Sequence, residues 1–156
     1  MNTKHLLSIL FVTLCVAQAL VACGTAAPAA PTPEPITVVE GFYDALNDRD
    51  INRVMFHFAD DALQIDAFGN RFEGAEAIRS TLQSAINDAV TVTIKDATDT
   101  NGRVVYTYDV YVGGAYAATV EGLTVVSDGK IIFDGTQENW AEECEKNHAQ
   151  KFCAEG

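Results

Sequence analysis

Asp66 is the residue whose type and place in the chain most directly suggest chemistry. It ends the short apolar run Ala62-Leu63-Gln64-Ile65 and comes just before a predicted turn over residues 68–71. A carboxylate that faces an apolar cavity has a raised pKa and can act as a base near neutral pH, whereas one that faces water is an ordinary strand-end residue. The sequence leaves both interpretations of Asp66 open.

Glu121 is a second candidate carboxylate, in the middle of the predicted strand Thr-Val-Glu-Gly-Leu. Successive side chains of a strand point to opposite faces of a sheet, so Glu121 faces either the interior or the solvent. His57 lies on the flank of a predicted helix, next to Arg53, which favours a surface histidine over a catalytic one.

No metal site and no cofactor are predicted. Asp60 and Asp61 are not followed by the further oxygen ligands of a calcium loop. Cys144, His148 and Cys153 lack a fourth ligand and the compact spacing of a zinc site. The sequence also contains no nucleotide-binding loop and no nucleophile elbow.

The elements that must position these residues are predicted to be helices first and strands later. Apolar residues at helical spacing predict helices over 36–47, 51–58 and 75–86, with Asp50 as the cap of the second. A short strand is predicted over 62–66, with residues 71–73 pairing back on it. Runs of β-branched residues separated by glycine-containing turns predict four successive antiparallel strands, over 90–98, 103–112, 115–127 and 130–140. This order predicts an α+β domain with helices on one face of a curved sheet.

The tail over 141–156 is acidic and carries Cys144 and Cys153. It is expected to be helical at first, with no clear prediction after Lys146. In an oxidising compartment the two cysteines are expected to form a disulfide. A continuous helix would hold their Cα atoms roughly 13 Å apart, beyond the ~7 Å that a disulfide spans. The bridge therefore requires a turn, which we expect at residues 146–148.

The first 22 residues form a predicted secretion signal, with Lys4 before an apolar stretch that is too short for a spanning helix. The residues Leu-Val-Ala-Cys that end at Cys23 resemble the lipobox of bacterial lipoproteins, which implies cleavage before Cys23 and acylation of its thiol. Because more than one acyl chain gives stable anchoring, the resemblance implies attachment to the extracytoplasmic face of the cell membrane or the outer membrane. Residues 23–35 contain all four prolines and are expected to be a linker, which leaves 36–140 as the folded domain.

The chain is acidic, with a formal net charge of −12 at pH 7. This charge argues against nucleic acid as a partner and against adsorption to anionic lipid. It also disfavours anionic substrates. The acidic residues are dispersed along the chain, as expected of a charge that serves solubility.

The stretch from Val38 to Leu82 resembles the start of a SnoaL-like domain of the NTF2-like superfamily, which includes ketosteroid isomerases and polyketide cyclases. The resemblance rests on Ala-Leu-Asn-Asp-Arg-Asp-Ile, Phe-Ala-Asp-Asp-Ala, Asp66 and Glu-Gly-Ala-Glu-Ala-Ile-Arg, followed by this order of elements. It extends over roughly residues 36–139. It implies a cone in which three N-terminal helices pack on a strongly curved, mostly antiparallel sheet and leave a cavity open at one end.

The resemblance also implies roles for the two carboxylates. Asp66 falls where ketosteroid isomerases keep the aspartate that moves a proton between substrate carbons, and Glu121 where they keep a protonated acid that donates to the enolate oxygen. The phenol that completes such a site is replaced by Phe42, and Tyr43 is about 100° away around the helix. Losing one such donor costs on the order of a hundredfold in rate. Other phenols of the sheet are candidates to replace it, depending on strand register: Tyr106, Tyr108, Tyr111 and Tyr116.

Five aromatic residues are the candidates for lining a ligand pocket: Phe42, Tyr43, Phe58, Phe68 and Trp140. The phenylalanines are equally consistent with a closed core. Trp140 is either a lid on the cavity or a side chain that packs the tail.

Two functions of different class are consistent with these features. In the first, the domain is a non-catalytic module that binds a small apolar or amphipathic molecule, or whose sheet pairs with a second copy or another envelope protein. In the second, it is a cofactor-free isomerase, cyclase or dehydratase with Asp66 as general base and Glu121 as acid or oxyanion donor. The replaced phenol and the expected lipid anchor favour the first.

Overall fold

The computed structural model describes residues 31–154. The predicted secretion signal, the predicted lipidation site Cys23 and most of the predicted linker lie outside the described residues. Within residues 31–154, no helix is long and apolar enough to cross a membrane. The described elements are α1 (Pro35–Asn47), α2 (Ile51–Phe56), β1 (Phe58–Ile65), β2 (Arg71–Glu73), α3 (Ala75–Asn87), β3 (Val90–Thr100), β4 (Arg103–Val112), β5 (Ala115–Ser127), β6 (Lys130–Gly135), α4 (Gln137–Lys146) and α5 (Lys151–Ala154).

The first two helices begin where the sequence predicts. Pro35 occupies the first turn of α1, where its missing N–H is not needed. Asp50 caps α2, since its carboxylate accepts hydrogen bonds from the backbone N–H groups of Asn52 and Arg53. The second helix ends at Phe56, two residues earlier than predicted. The reason is that Phe58 already belongs to β1, where it pairs with Ile131 of β6.

The six strands form one mixed sheet in the order β2-β1-β6-β5-β4-β3. The antiparallel pairing of the four predicted strands β3, β4, β5 and β6 is confirmed. The last strand ends at Gly135, five residues earlier than predicted, because Thr136 caps α4. Strand β1 is longer than predicted and pairs with β6 in parallel, which local sequence patterns did not reveal. Register shifts interrupt the pairings of β3 with β4, β4 with β5 and β5 with β6. Such bulges bend the strands that carry them.

The inner face of the sheet packs against the first three helices. Their buried apolar residues, with those of the strands beneath them, form the larger core, whose biggest fully buried side chains include Phe42, Val54 and Ile78. Burying apolar side chains such as these stabilises the fold by about 1.5–3 kcal/mol each. This packing fixes α1 and α3 over the strands that carry the candidate site.

The outer face of β1, β5 and β6 is covered by two further helices, α4 and α5. The structure therefore has five helices within residues 31–154, and the expected three account for only part of them. Phe152 of α5 packs against Phe133 with ring centroids 4.9 Å apart. The Trp140 indole N–H donates to the Phe152 carbonyl at 3.3 Å, so Trp140 packs the tail.

The predicted disulfide between Cys144 and Cys153 is present, with Cα atoms 5.6 Å apart. Helix α4 ends at Lys146 and the chain turns over residues 147–150 before α5, as the bridge requires. A buried carboxylate of the same helix, Glu143, forms an ion pair with Arg71 of β2. The ion pair and an apolar cluster thus fasten the tail to the sheet, and the disulfide joins its two helices.

Candidate functional site

A cavity of about 310 Å³ lies between the helices and the inner face of the sheet. Its walls are mainly apolar, with Leu46 of α1, Leu82 and Ala85 of α3, and Val92 and Val120 of the sheet. The lining reaches the surface at residues 66–68. Phe68 is 90% exposed there and does not fill the cavity.

A buried carboxyl group, Asp134, forms the polar part of the cavity wall. Its Oδ1 accepts from the Thr124 hydroxyl at 2.8 Å and from the Tyr106 phenol at 3.2 Å. Its Oδ2 accepts from the Gln64 side-chain amide at 2.9 Å. Adjacent strands bring these groups together, because Gln64 of β1 and Thr124 of β5 both pair directly with Asp134 of β6.

Burial raises the pKa of Asp134 above its ordinary value of 3.8, although the hydrogen bonds from Gln64, Thr124 and Tyr106 act in the opposite direction. Desolvation penalises the charged form of a carboxyl group. The group is therefore a carboxyl whose proton is held more tightly than that of a solvated aspartate.

Three tyrosines continue the polar cluster across the cavity. The phenol oxygens of Tyr43 and Tyr106 are 3.0 Å apart, and the rings of Tyr43 and Tyr108 have centroids 5.5 Å apart. Burial, followed by the charge of Asp134, raises the pKa of Tyr108 to about 12 and that of Tyr106 well above 10.0. These phenols stay protonated at physiological pH, and Tyr106 donates its proton in a hydrogen bond to Asp134.

Phenols line the cavity although Phe42 stands where the resemblance implies one. Phe42 and Tyr43 are both buried and both line the cavity, although they are adjacent in α1. The cavity wraps far enough around the helix to meet both side chains. Tyr43 therefore reaches the site, and strand β4 adds Tyr106 and Tyr108. The other two candidate phenols, Tyr111 and Tyr116, pack edge to face further along the β4–β5 hairpin.

Asp66 lies at the edge of the cavity, half-buried, just past the end of β1. Its Oδ1 accepts from the backbone N–H groups of Phe68 at 2.8 Å and Asn70 at 2.9 Å, and its Oδ2 accepts from the Asn70 amide at 2.8 Å. Partial burial alone would raise the pKa of Asp66, but these hydrogen bonds outweigh it and the pKa is lowered. Asp66 thus shapes the turn over 66–70 and is a weaker base than a solvated aspartate.

Glu121 does not lie with Asp66 in the cavity. It is exposed in a groove on the outer face, beside Val105 and Glu138. The alternation of β5 explains this position, because Leu123 and Val125, two and four residues further on, belong to the outer apolar cluster. The expectation of an inward-facing Glu121 that pairs with Asp66 is corrected by this geometry.

The five predicted pocket aromatics separate into two groups. Phe42, Tyr43 and Phe68 line the cavity. Phe58 is instead part of the closed core, edge-on to Phe42 with ring centroids 5.2 Å apart. Trp140 lies with the tail on the outer face, where the Arg103 guanidinium is 4.9 Å from its ring centroid. The cavity is thus closed neither by Trp140 nor by the tail.

His57 lies away from the cavity, with its ring packed against Gly41. A Cβ added at Gly41 would lie 2.7 Å from the His57 ring, so a larger residue there would displace the ring. Burial, with the charges of Lys130 and Arg53, lowers the pKa of His57. No group of three or more His, Cys, Asp or Glu side chains within residues 31–154 is arranged to hold a metal ion.

Sequence reasoning did not identify Asp134 or Gln64 as site residues, although a signal for both is present. Each is the polar member of a run that is otherwise apolar, Ile-Ile-Phe-Asp-Gly and Ala-Leu-Gln-Ile. Strands that are apolar on both faces are covered on both faces, so a polar residue within them is buried whichever way it points. That signal favours Asp134 and Gln64 over Glu121.

Comparison with known proteins agrees with this fold. The SnoaL-like domain model matches residues 39–133, while no curated protein matches the sequence. Similar solved structures include an NTF2-like protein of unknown function from Cytophaga hutchinsonii, with 15% identity and a TM-score of 0.59 over 67% of this chain and 88% of that chain. An LEH-like epoxide hydrolase of M. tuberculosis has 23% identity and a TM-score of 0.57 over 64% of this chain and 78% of that chain.

A third similar structure is the epoxide hydrolase/cyclase-like enzyme SalBIII of pyran ring formation in the polyether salinomycin. It has 14% identity and a TM-score of 0.57 over 64% of this chain and 86% of that chain. At such identities the likeness shows the shared α+β, NTF2-like fold. Since the family model matches more than half of the sequence, the chain belongs to the SnoaL-like domain family.

Proposed function

We propose that this domain binds a small, neutral, largely apolar molecule in the cavity between its helices and its sheet, without transforming it. The observation that carries the proposal is the cavity itself, with mainly apolar walls, polar groups gathered at Asp134, and an opening at residues 66–68. Ligand pockets in proteins have this composition, and the volume of about 310 Å³ is at the small end of their range.

Binding without catalysis is favoured by the state of the two carboxylates expected to react. Three hydrogen bonds to its carboxylate lower the pKa of Asp66, and they also hold it in the turn. Glu121 lies on the other face of the sheet. The acid–base pair of the isomerases is therefore not assembled from these residues.

A cofactor-free isomerase, cyclase or dehydratase is the second candidate, and the observation that favours it is Asp134. A buried carboxyl with a raised pKa beside protonated phenols is an arrangement for general acid–base catalysis. Similar structures whose names include epoxide hydrolase and cyclase-like activities add support for chemistry in such a cavity.

This candidate predicts that the protein catalyses exchange of the α-protons of cyclohexanone in deuterium oxide and that Asp134→Asn abolishes it. If the unaltered protein and Asp134→Asn both leave the exchange at the rate seen in buffer, the result favours ligand binding without catalysis.

Anchoring through lipid on Cys23 is part of the proposal, and it would place the binding domain on the extracytoplasmic face of the cell membrane or the outer membrane. It is supported by the lipobox-like residues that end at Cys23 and the proline-rich linker that follows. Cys23→Ser should remove palmitate labelling. Labelling that survives this substitution would exclude Cys23 as the acylated residue. A second copy or an envelope protein on the sheet remains the alternative partner of the domain.

The ligand-binding proposal is tested by filling the cavity. Ala85 lines the cavity from α3 and is half-buried, so Ala85→Trp should occupy part of it. N-phenyl-1-naphthylamine, a neutral fluorescent probe, should bind the unaltered protein with one site, and Ala85→Trp should weaken its binding about tenfold or more, which corresponds to roughly 1.4 kcal/mol. Ala141→Trp, at an exposed position of α4, is the matched control and should bind normally. Equal binding by both variants would place the probe elsewhere and refute the proposal.

A further inference from the structure

The tail is connected to both ends of the loop at the cavity opening. This loop, residues 66–70, joins β1 to β2, and its flanking residues Ile65 and Arg71 pair with each other across the two strands. Ile65 lines the cavity and also belongs to the outer apolar cluster that includes Phe152 of α5. Arg71 forms its ion pair with Glu143 of α4. The position of the loop therefore depends on the tail at each end.

A third connection lies at the start of α4. Thr136 lines the cavity directly after β6, and its hydroxyl caps α4 by accepting from the backbone N–H of Asn139 at 3.1 Å. Glu143 follows Thr136 by seven residues, which is about two helical turns. The helix that begins in the cavity wall thus also carries the carboxylate that holds Arg71.

The tail can change its packing without disrupting the larger core. The outer apolar cluster is separate from the core beneath α1, α2 and α3. The disulfide between Cys144 and Cys153, both half-buried, joins α4 to α5, which has only four residues. A helix of that length is not stable by itself. Breaking the disulfide therefore loosens α5 and Phe152 and leaves the larger core in place.

We propose that Arg71 and Glu143 are positioning residues for the cavity opening and that they make ligand binding depend on the disulfide of the tail. This inference rests on the proposed binding function and adds its control. The oxidised tail holds the loop over 66–70 in the arrangement that binds ligand, and reduction by a thiol loosens it. One thiol attacks the disulfide and forms a mixed disulfide. A second thiol attacks that mixed disulfide, which leaves two cysteine thiols and the disulfide of the reductant.

The test measures the Kd of N-phenyl-1-naphthylamine for the oxidised protein and for the protein reduced with dithiothreitol. The protein is the chain without residues 1–23, which retains every described residue and has Cys144 and Cys153 as its only cysteines. We expect reduction to weaken binding about fivefold or more. Glu143→Gln should weaken binding with the disulfide intact. The matched control Glu142→Gln changes the neighbouring carboxylate, which is exposed and pairs within α4, and should bind normally.

A reciprocal measurement separates positioning from a merely structural role. Coupling between two sites acts equally in both directions, so bound ligand must also favour the disulfide. In a glutathione redox buffer, saturating probe should lower the equilibrium constant for reduction by the ratio of the two Kd values. Labelling of free thiols measures this constant, and a constant that the probe leaves unchanged overturns the inference.

The outcomes distinguish this inference from the proposed function. If reduction leaves the Kd unchanged, or if Glu143→Gln binds as tightly as Glu142→Gln, the control by the tail is wrong while ligand binding stands. If the oxidised protein does not bind the probe, the proposed function fails as well. Should reduction unfold the domain, the comparison of Glu143→Gln with Glu142→Gln decides, because both variants keep the disulfide.

Discussion

At the scale of single residues, the cavity holds two aspartates whose surroundings act in opposite directions. Asp134 is buried, and its pKa is raised by burial despite three hydrogen bonds. Asp66 is half-buried, and its pKa is lowered because hydrogen bonds from Asn70 and Phe68 outweigh the effect of burial. The same residue type thus holds its proton tightly at position 134 and serves as a hydrogen-bond acceptor within a turn at position 66.

The contributions of Asp134 and Asp66 to the free energy of unfolding should therefore change with pH in opposite directions. For Asp134, the folded chain keeps a proton that the unfolded chain loses above an ordinary pKa of 3.8. Its stabilising contribution is complete below that value and is lost as pH rises through the raised pKa of the folded state. The free energy of unfolding of the unaltered protein, relative to Asp134→Asn, should therefore fall as pH rises from about 4.

For Asp66 the sign reverses, which makes Asp66→Asn the matched comparison. A lowered folded pKa contributes stability above the ordinary value of 3.8, and this contribution is lost as pH falls through the folded pKa. The advantage of the unaltered protein over Asp66→Asn should therefore be larger near neutral pH than in acid. Urea unfolding of the three proteins across the pH range measures both trends. If the free energies of unfolding of Asp134→Asn and Asp66→Asn, each relative to the unaltered protein, change with pH in the same direction, the two aspartates do not have oppositely shifted pKa values.

The residues of the site were predictable only in part, because strand register decides which side chains face the cavity. Glu121 and Thr124 belong to one strand, and a difference of one position decides whether a side chain meets the cavity or the outer groove. Register shifts at bulges add further uncertainty to inward and outward assignments from alternation alone. Asp66 was identifiable because a strand end before a turn is a local feature. Asp134 is not local, since it becomes a site residue through β1 and β5 on either side of it.

At the scale of elements, local patterns predicted most of the fold. Helical spacing located α1 and α3 to within a residue or two, and the glycine-containing turns located the four-strand meander. The parallel pairing of β1 with β6 was not predictable in this way, because the partners are about seventy residues apart, as in Gln64 and Asp134. That pairing is what brings the amide of Gln64 to the carboxyl of Asp134.

The tail is an element whose stability should depend on its disulfide. Replacing both Cys144 and Cys153 by serine should cost about 2–3 kcal/mol, the typical effect of closing a short loop. The loss should appear first in the tail, because Trp140, the single tryptophan, lies there and its indole bonds to Phe152. Tryptophan fluorescence should therefore change at lower urea concentration than circular dichroism of the sheet.

The control for the disulfide prediction is chemical reduction of the unaltered protein, which should reproduce the behaviour of the double serine variant. Coincident fluorescence and circular dichroism transitions in both proteins, at the midpoint of the oxidised chain, would contradict it. That result would mean that the apolar contacts of Phe152 and the Arg71–Glu143 ion pair hold the tail without help.

At the scale of the whole domain, the cavity opens at the end opposite to the incoming chain. Pro33 packs against Gly129 in the turn before β6, where a Cβ on Gly129 would lie 3.0 Å from the proline ring. The opening at Asp66 follows the far end of β1, which runs parallel to β6. The described chain therefore enters the domain at Pro33, on the side away from residues 66–68.

The measurement that tests the central claim most directly is an NMR experiment that locates a bound neutral probe. The protein carries labelled methyl groups in both of its apolar clusters, and the probe is 2-naphthol. Leu46, Val92 and Val120 line the cavity, whereas Leu123 and Val125 lie under the tail on the outer face. We predict nuclear Overhauser effects from the probe to the first set and none to the second. Effects confined to Leu123 and Val125, or no effects at saturating probe, would contradict the account.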